Sequence, residues 1–224
     1  ARYMAASEEI MPGTGTDYAG WAGALAKNSA IDGKELGIAV CETYLPYCQR
    51  NEAGDMATLS LIDLGQMPAL NAAYEKRGRE ALELSKGDPR HFFTAYDRVA
   101  GSVENYGSND NGDYTDMIDL GALAEGLEEI KTAPAFVQAL NNAVVYRTAG
   151  PYRQYGMGLS GYYCLGGGTE SLQAYTALPG ASKAFSGLYQ NMLSGSGDGT
   201  PWFHFDGARI EHTPVVLDKD NMAS

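Results

Sequence analysis

Basic residues are scarce in this chain of 224 residues. It has 16 Lys and Arg against 28 Asp and Glu, which gives a formal net charge of -12. Binding a nucleic-acid backbone needs a basic stripe that replaces counterions, so this balance argues against nucleic acid as the main partner. An acidic surface attracts cations or basic peptides, and it also serves solubility alone.

Cysteine is also scarce, and its spacing excludes two common roles. The three residues, Cys41, Cys48 and Cys164, include no CxxC pair and no Cys/His metal pattern. Cys41 and Cys48 fall two turns apart on a predicted helix, roughly 10 Å, which is too far for a disulfide. Cys164 closes a predicted buried strand, where free cysteines are usually inert.

Only three histidines occur, and none has a clear catalytic setting. His91 is predicted to lie on a helix surface. His204 and His212 stand near Asp206 and Glu211, which suggests a metal site but fits a solvated hairpin better. The sequence therefore predicts no metal site and no catalytic residue among its cysteines and histidines.

Long apolar runs are absent as well. No stretch of 18 apolar residues and no signal peptide occurs, so we predict no membrane span. The chain starts without an initiator Met, and we expect it to be cut from a longer protein. Its 44% hydrophobic and 20% charged residues are typical of a globular domain with a sizeable core.

The opening stretch organises the prediction. An apolar strand over Tyr3–Ala6 runs into an acidic, glycine-rich segment, residues 7–17, and a helix begins at Asp17. Ligands of open α/β sheets gather outside the carboxyl ends of strands, so this segment is our candidate rim of a binding site. The alternative is an ordinary strand-to-helix turn with solvated carboxylates.

The remaining patterns predict an α/β chain with an appended tail. Helices are expected at 17–26, 33–47, 64–86, 89–102, 120–131, 133–146 and 183–193, strands at 58–62 and 158–163, and a loop at 171–176. The polar turn 106–116 fails the EF-hand spacing. Residues 1–193 form the predicted domain, 194–200 a linker, and 201–224 the start of a β-rich segment.

Segments in a fixed order along residues 3 to about 193 resemble the clostripain-like cysteine peptidases, family C11 of the caspase–gingipain fold. They are YMAASEE at 3–9 with PGTGTDY at 12–18, TLSLIDL at 58–64, DMIDL at 116–120, AVVY at 143–146 and GLSGYY at 158–163.

The resemblance implies a fold and an activity. The fold is a caspase-like sandwich, a mostly parallel sheet flanked by helices. The activity is an endopeptidase that cuts after basic residues, chiefly Arg, through a His/Cys dyad. Members are mostly bacterial and exported. Calcium dependence is known in the family, so calcium is the one cofactor that the resemblance raises.

The chain departs from the family pattern at the catalytic positions. In the family both the His and the Cys precede the segment that resembles YMAASEE, and those positions would fall before Ala1. We therefore expect a chain that is missing its N-terminal strands, carries no catalytic residue, and has the missing N-terminal part of the same domain as a partner.

Substrate recognition is the role that the resemblance leaves assignable. An acidic residue in the segment 7–17, after the strand Tyr3–Ala6, would bind the guanidinium of a substrate arginine through charge-assisted hydrogen bonds. The candidates are Asp17 first, then Glu9 and Glu8. Asp17 has a competing role as a helix N-cap.

Two other readings stay open on the sequence alone. One is a pseudo-enzyme that keeps the scaffold and an acidic pocket for binding without chemistry. The other is an acidic α/β domain of unrelated function.

Overall fold

The computed structural model describes residues 1–107, 115–164 and 168–194, and the backbone of two short strands beyond them. The helices are α1 Tyr18–Lys27, α2 Gly33–Arg50, α3 Met67–Ser85, α4 Pro89–Ala100, α5 Leu120–Glu125, α6 Ala133–Ala143, α7 Thr169–Thr176 and α8 Lys183–Ser194. The strands are β1 Tyr3–Ala6, β2 Thr58–Asp63, β3 Met117–Asp119, β4 Val144–Ala149, β5 Ser160–Tyr162, β6 Phe203–Phe205 and β7 Ile210–His212.

The central sheet has the strand order β1-β2-β4, and both pairings are antiparallel. The pairs β3–β5 and β6–β7 are antiparallel too. The expected mostly parallel sheet is therefore wrong for the described strands. Two strands joined by a single crossover helix run parallel to each other. Here two helices, α1 and α2, lie between β1 and β2, and these two strands are antiparallel.

Helices cover both faces of this sheet, which confirms the α/β class. One face packs against α2, where Tyr44 and both of its cysteines bury against Leu59 and Leu61. The other packs against α6 and the start of α3. Side chains of successive strand residues point to opposite faces, so β2, which is buried along its whole length, contributes to both layers.

Helix α3 joins the sheet layer to a second core built from α4, β3, β5, α7 and α8. Leu70, Arg77 and Ala81, which recur at helical spacing, are buried on one face of α3, whereas Leu84 is exposed. Arg77 is fully buried. Its guanidinium donates to the Tyr96 hydroxyl at 3.4 Å and the Leu123 carbonyl at 3.3 Å.

Three boundaries differ from the sequence prediction. Residues 169–176 form helix α7 rather than a loop. Helix α5 stops at Glu125, because Gly126 follows as its C-cap. Helix α6 ends at Ala143, since the β-branched Val144 and Val145 belong to β4, in which Val144 pairs with Ile62 of β2.

Several predictions fall outside the described residues. These are the polar turn at 108–114, the linker at 195–200, and the side chains of His204 and His212 with their acidic neighbours. The strands β6 and β7 lie in the segment predicted to be β-rich. The division into 1–193, 194–200 and 201–224 stays a prediction.

We expect the volume of Arg77, rather than its charge, to stabilise the fold. Burying a cation is costly, so Arg77→Met should change the free energy of unfolding by less than about 1 kcal/mol. Arg77→Ala leaves a cavity and should cost about 3 kcal/mol. Urea unfolding measures both, and Arg79→Ala on the same helix, where the side chain is 62% exposed, is the control. A methionine variant as damaged as the alanine variant would show that the guanidinium contacts dominate.

Candidate functional site

The candidate rim begins where β1 ends, beside the start of β2 and the end of β4. Its first residues are tied to Thr58. The Thr58 hydroxyl accepts the amides of Glu8 and Glu9, both at 3.1 Å, and lies 3.0 Å from the Ser7 hydroxyl. Three contacts on one side chain fix the backbone as it leaves the sheet.

Glu9 is buried and satisfied on both oxygens. Oε2 accepts hydrogen bonds from Nη2 of Arg153 at 2.6 Å and from Nε of the same residue at 3.0 Å. Oε1 accepts the amides of Gly107 at 2.8 Å and Ile10 at 2.9 Å. Because its donors come from three separate segments, Glu9 joins the rim to the loops before β3 and after β4.

Glu8 is buried in a different environment, with its side chain only 3% exposed. Oε2 lies 3.4 Å from Nε of Arg147, and Oε1 has no hydrogen-bond partner. Burial, followed by the charge of Asp119, raises the pKa of Glu8 to about 7. The long contact with Arg147 lowers the pKa less than these two effects raise it.

Asp119 is the second buried carboxyl of this cluster. It ends β3 and caps α5, where Oδ1 accepts the Ala122 amide at 2.6 Å. Oδ2 accepts the Met157 amide at 2.5 Å and faces the Tyr106 hydroxyl at 3.5 Å. Burial raises the pKa of Asp119 although these amides favour its ionised form.

Arg147 is mostly occupied by the loop after β4. Nη2 donates to the Arg153 carbonyl at 2.5 Å, and Nη1 lies 3.5 Å from the Gln154 carbonyl. Gly158 in this loop has φ +95°, and an added Cβ would meet Val144 and Ser60. Glycine is therefore needed where the loop turns back against the sheet.

Asp17 caps a helix and also pairs with an arginine of its own chain. Oδ1 caps α1 by accepting the Gly20 amide at 2.9 Å, which the sequence predicted, and Oδ2 pairs with Nη2 of Arg50 at 3.2 Å. Its side chain is 18% exposed, and that of Arg50 is 61% exposed. Asp17 is thus the most accessible of the three predicted substrate acids.

Sequence reasoning missed the partners of these acids. Each predicted acid faces an arginine of its own chain, and the arginines are Arg50, Arg147 and Arg153. Asp119 was recognised as a helix cap but not as a neighbour of Glu8. The loop after β4 contains one arginine and two tyrosines in the sequence, and this composition does not specify the contacts of Arg153.

The cysteines are buried, and none of them forms a disulfide. Burial raises the pKa of Cys41 to about 12 and that of Cys48 in the same direction, so neither is a thiolate near neutral pH. His91 lies on the surface of α4, as predicted, 3.4 Å from Glu129. Among the side chains that the structure describes, no His–Cys pair is found at the candidate rim.

A separate groove runs between α5 and α6. It has a volume of about 570 Å³, an apolar floor and a rim that includes Glu125, Glu128 and Lys131. Its lining contains no cysteine, histidine, serine or threonine. It therefore offers no nucleophile or base, and no predicted site residue lines it.

Within the described ranges, no group of three or more His, Cys, Asp or Glu side chains is arranged to hold a metal ion. No helix there has the length and apolarity to cross a membrane.

Comparison with known proteins identifies one family and several solved structures that share one fold. The model of the clostripain family, Peptidase_C11, matches residues 1–186. No curated protein matches the chain. Three solved structures cover 84% of it with the same fold.

The first is a clostripain from Bacteroides thetaiotaomicron in complex with a peptide inhibitor, with 14% identity, a TM-score of 0.56 and 76% of its own chain covered. A cysteine protease from B. fragilis is 15% identical to the chain, with a TM-score of 0.57 and 80% of its own chain covered. A secreted C11 cysteine protease from B. thetaiotaomicron is 11% identical to the chain, with a TM-score of 0.54 and 49% of its own chain covered. At such identities the likeness establishes the fold alone.

The adjacent Glu8 and Glu9 should respond oppositely to the loss of charge. A carboxyl with a raised pKa in the folded state stabilises fully below its unfolded pKa, and this stability is lost as the pH rises through the folded value. For Glu8 that window runs from 4.5 to about 7. Glu8→Gln should therefore stabilise the protein by about 2 kcal/mol at pH 8 and hardly at all at pH 4.

Glu9→Gln is the matched control, because it breaks a charge-assisted pair and should cost about 2 kcal/mol at pH 8. Urea unfolding at both pH values measures the difference. If Glu8→Gln destabilised at pH 8 as much as Glu9→Gln, Glu8 would be an ionised partner of Arg147.

Proposed function

This chain belongs to the clostripain family, and we propose that it is part of a cysteine endopeptidase that cleaves after basic residues, Arg above all. The observation that carries the proposal is the family match over residues 1–186, since it spans most of the chain. The His/Cys dyad of this enzyme lies outside the chain, on the N-terminal part of the same domain.

Two features support a dyad outside the chain. The cysteines are buried, with a raised pKa at Cys41 and Cys48, whereas a nucleophile needs an accessible thiolate. Strand β1 also pairs with β2 on one side only, among the described strands, and its Met4 is 45% exposed. An additional strand on the open edge of β1 would use these backbone groups and cover this side chain.

Asp17 is the acid that we assign to the basic side chain of the substrate. Glu9 has four donors of its own, and Glu8 is buried with a raised pKa, so both are poor choices. Asp17 already binds a guanidinium, that of the exposed Arg50. The net charge of -12 also favours a basic peptide.

We assign the protein to bacteria and to the exported class by family resemblance, supported by the secreted C11 relative. Calcium dependence is carried over in the same way, without a ligand set among the described side chains. The alternative function is a non-catalytic binding module with the same scaffold, favoured by the buried cysteines.

Hydrolysis of matched Arg-, Lys- and Asp-ended fluorogenic peptides tests the proposal, with this chain and its full-length parent assayed side by side. Cleavage of the Arg peptide by the parent alone is expected. Cleavage by this chain alone would show that the nucleophile is one of its own residues, and silence from both would favour the binding module.

In the parent enzyme, Asp17→Asn should raise the KM for Arg peptides about tenfold and leave kcat nearly unchanged, because Asn caps a helix as well as Asp but lacks the charge. Asp32→Asn is the matched control. Asp32 caps α2 through the amides of Lys34 and Glu35, without an arginine partner in its described hydrogen bonds. Equal kinetics for the two variants would remove Asp17 from substrate binding.

A further inference from the structure

We propose that the carboxyl groups of Glu8 and Asp119 share one proton, and that this proton latches the candidate rim to the start of α5. In the latched form the Glu8 carboxyl is neutral, and its O–H donates to Asp119. The latch is a positioning device, because it acts on the rim rather than on a reacting atom.

The geometry favours a neutral Glu8. Its Oε1 is buried and accepts no hydrogen bond, which is costly for a carboxylate oxygen but suits an oxygen that carries a proton. Asp119 is the reverse, since its oxygens accept the amides of Ala122 and Met157 and face the Tyr106 hydroxyl. Those donors stabilise Asp119 as the ionised member of the pair.

The charged groups around Glu8 and Asp119 favour a proton on one of the two carboxyls. The titratable groups from every neighbouring segment are Glu8 and Glu9 after β1, Glu104 and Tyr106 before β3, Asp119 at the end of β3, Arg147 in β4 and Arg153 after it. Four carboxyls thus face two guanidinium groups. Arg153 is committed to Glu9, and Arg147 donates mainly to two carbonyls.

Asp63 and Leu64, at the end of β2, repeat the Asp-Leu pattern of Asp119 and Leu120. They show how a neighbouring cation affects such an aspartate. Asp63 ends β2 as Asp119 ends β3, and it caps the following turn through the Gly65 amide at 2.9 Å. Its neighbour is Arg2, whose Nε lies 2.6 Å away, and this contact lowers the pKa of Asp63. Asp119 instead interacts with the buried carboxyl of Glu8, and a proton held between the two carboxyls would remove their mutual repulsion.

Loss of the proton should loosen the rim. The Glu8 O–H bond breaks, the proton goes to water, and two carboxylates then repel each other in a buried site. Glu8 can regain solvent only if the segment that carries it moves. Glu9 follows in the chain, so this movement pulls on its contacts with Arg153 and Gly107.

Hydrogen exchange of the full-length protein tests the latch, with mass spectrometry of peptides that cover residues 7–11 and 104–107. The amides of Ile10 and Gly107 report directly, because both donate to Glu9. The amide of Gly65, bound to Asp63, is the internal reference. Rates are corrected for the intrinsic dependence of exchange on pH.

Protection of the rim should fall about tenfold per pH unit above 4.5 and level off near 7, since one proton is linked to opening. The expected total change is on the order of a hundredfold. Glu8→Gln should remove the pH dependence and keep the rim protected. Glu9→Gln should lower protection at every pH but leave the slope.

Protection that does not change with pH, or a slope that persists in Glu8→Gln, would overturn the latch. The experiment uses no peptide substrate, so its failure would leave the proposed peptidase function untouched. Failure of the cleavage assay would equally leave the latch in place.

Discussion

The ion pair of Glu9 and Arg153 is the contact on which the candidate site depends. It joins the segment after β1 to the loop after β4, and the same carboxyl holds the loop before β3 through Gly107. Because three of the four donor groups, on Gly107 and Arg153, come from segments far apart in sequence, the rim forms only when the central sheet and the β3–β5 pair are already in place. Thr58 anchors the same segment to β2.

Next to this satisfied pair lies a group that is not satisfied. The backbone amides of Glu8 and Glu9 both donate to the Thr58 hydroxyl. The Glu8 carboxyl, however, interacts with Asp119 and makes only a 3.4 Å contact with Nε of Arg147. Two adjacent glutamates therefore differ in their contacts: the Glu9 carboxylate accepts four hydrogen bonds, whereas one buried oxygen of Glu8 accepts none. A rim that combines both can be firm in mild acid and looser above neutrality.

Family membership was within reach of the sequence, because the segments that carry it are local strand ends and caps. Asp17 as an N-cap, Cys41 and Cys48 as helix residues, and Arg77 on the inner face of α3 all follow from helical spacing. The expected sheet direction was wrong, because strand direction depends on pairings between segments far apart in the chain, which local sequence patterns do not specify. The role of Asp17 in substrate binding stays a proposal.

The sequence by itself determined most of the helices, the cap at Asp17 and the family, because these depend on residues within a few positions of one another. Only the tertiary structure decided which charge meets which. Glu9 and Arg153 are separated by 144 positions, and Glu8 and Arg147 by 139. The pKa of a carboxyl depends on burial and on charges a few ångströms away. Glu8 and Glu9, two identical residues side by side in the sequence, therefore acquire different surroundings only when the chain has folded.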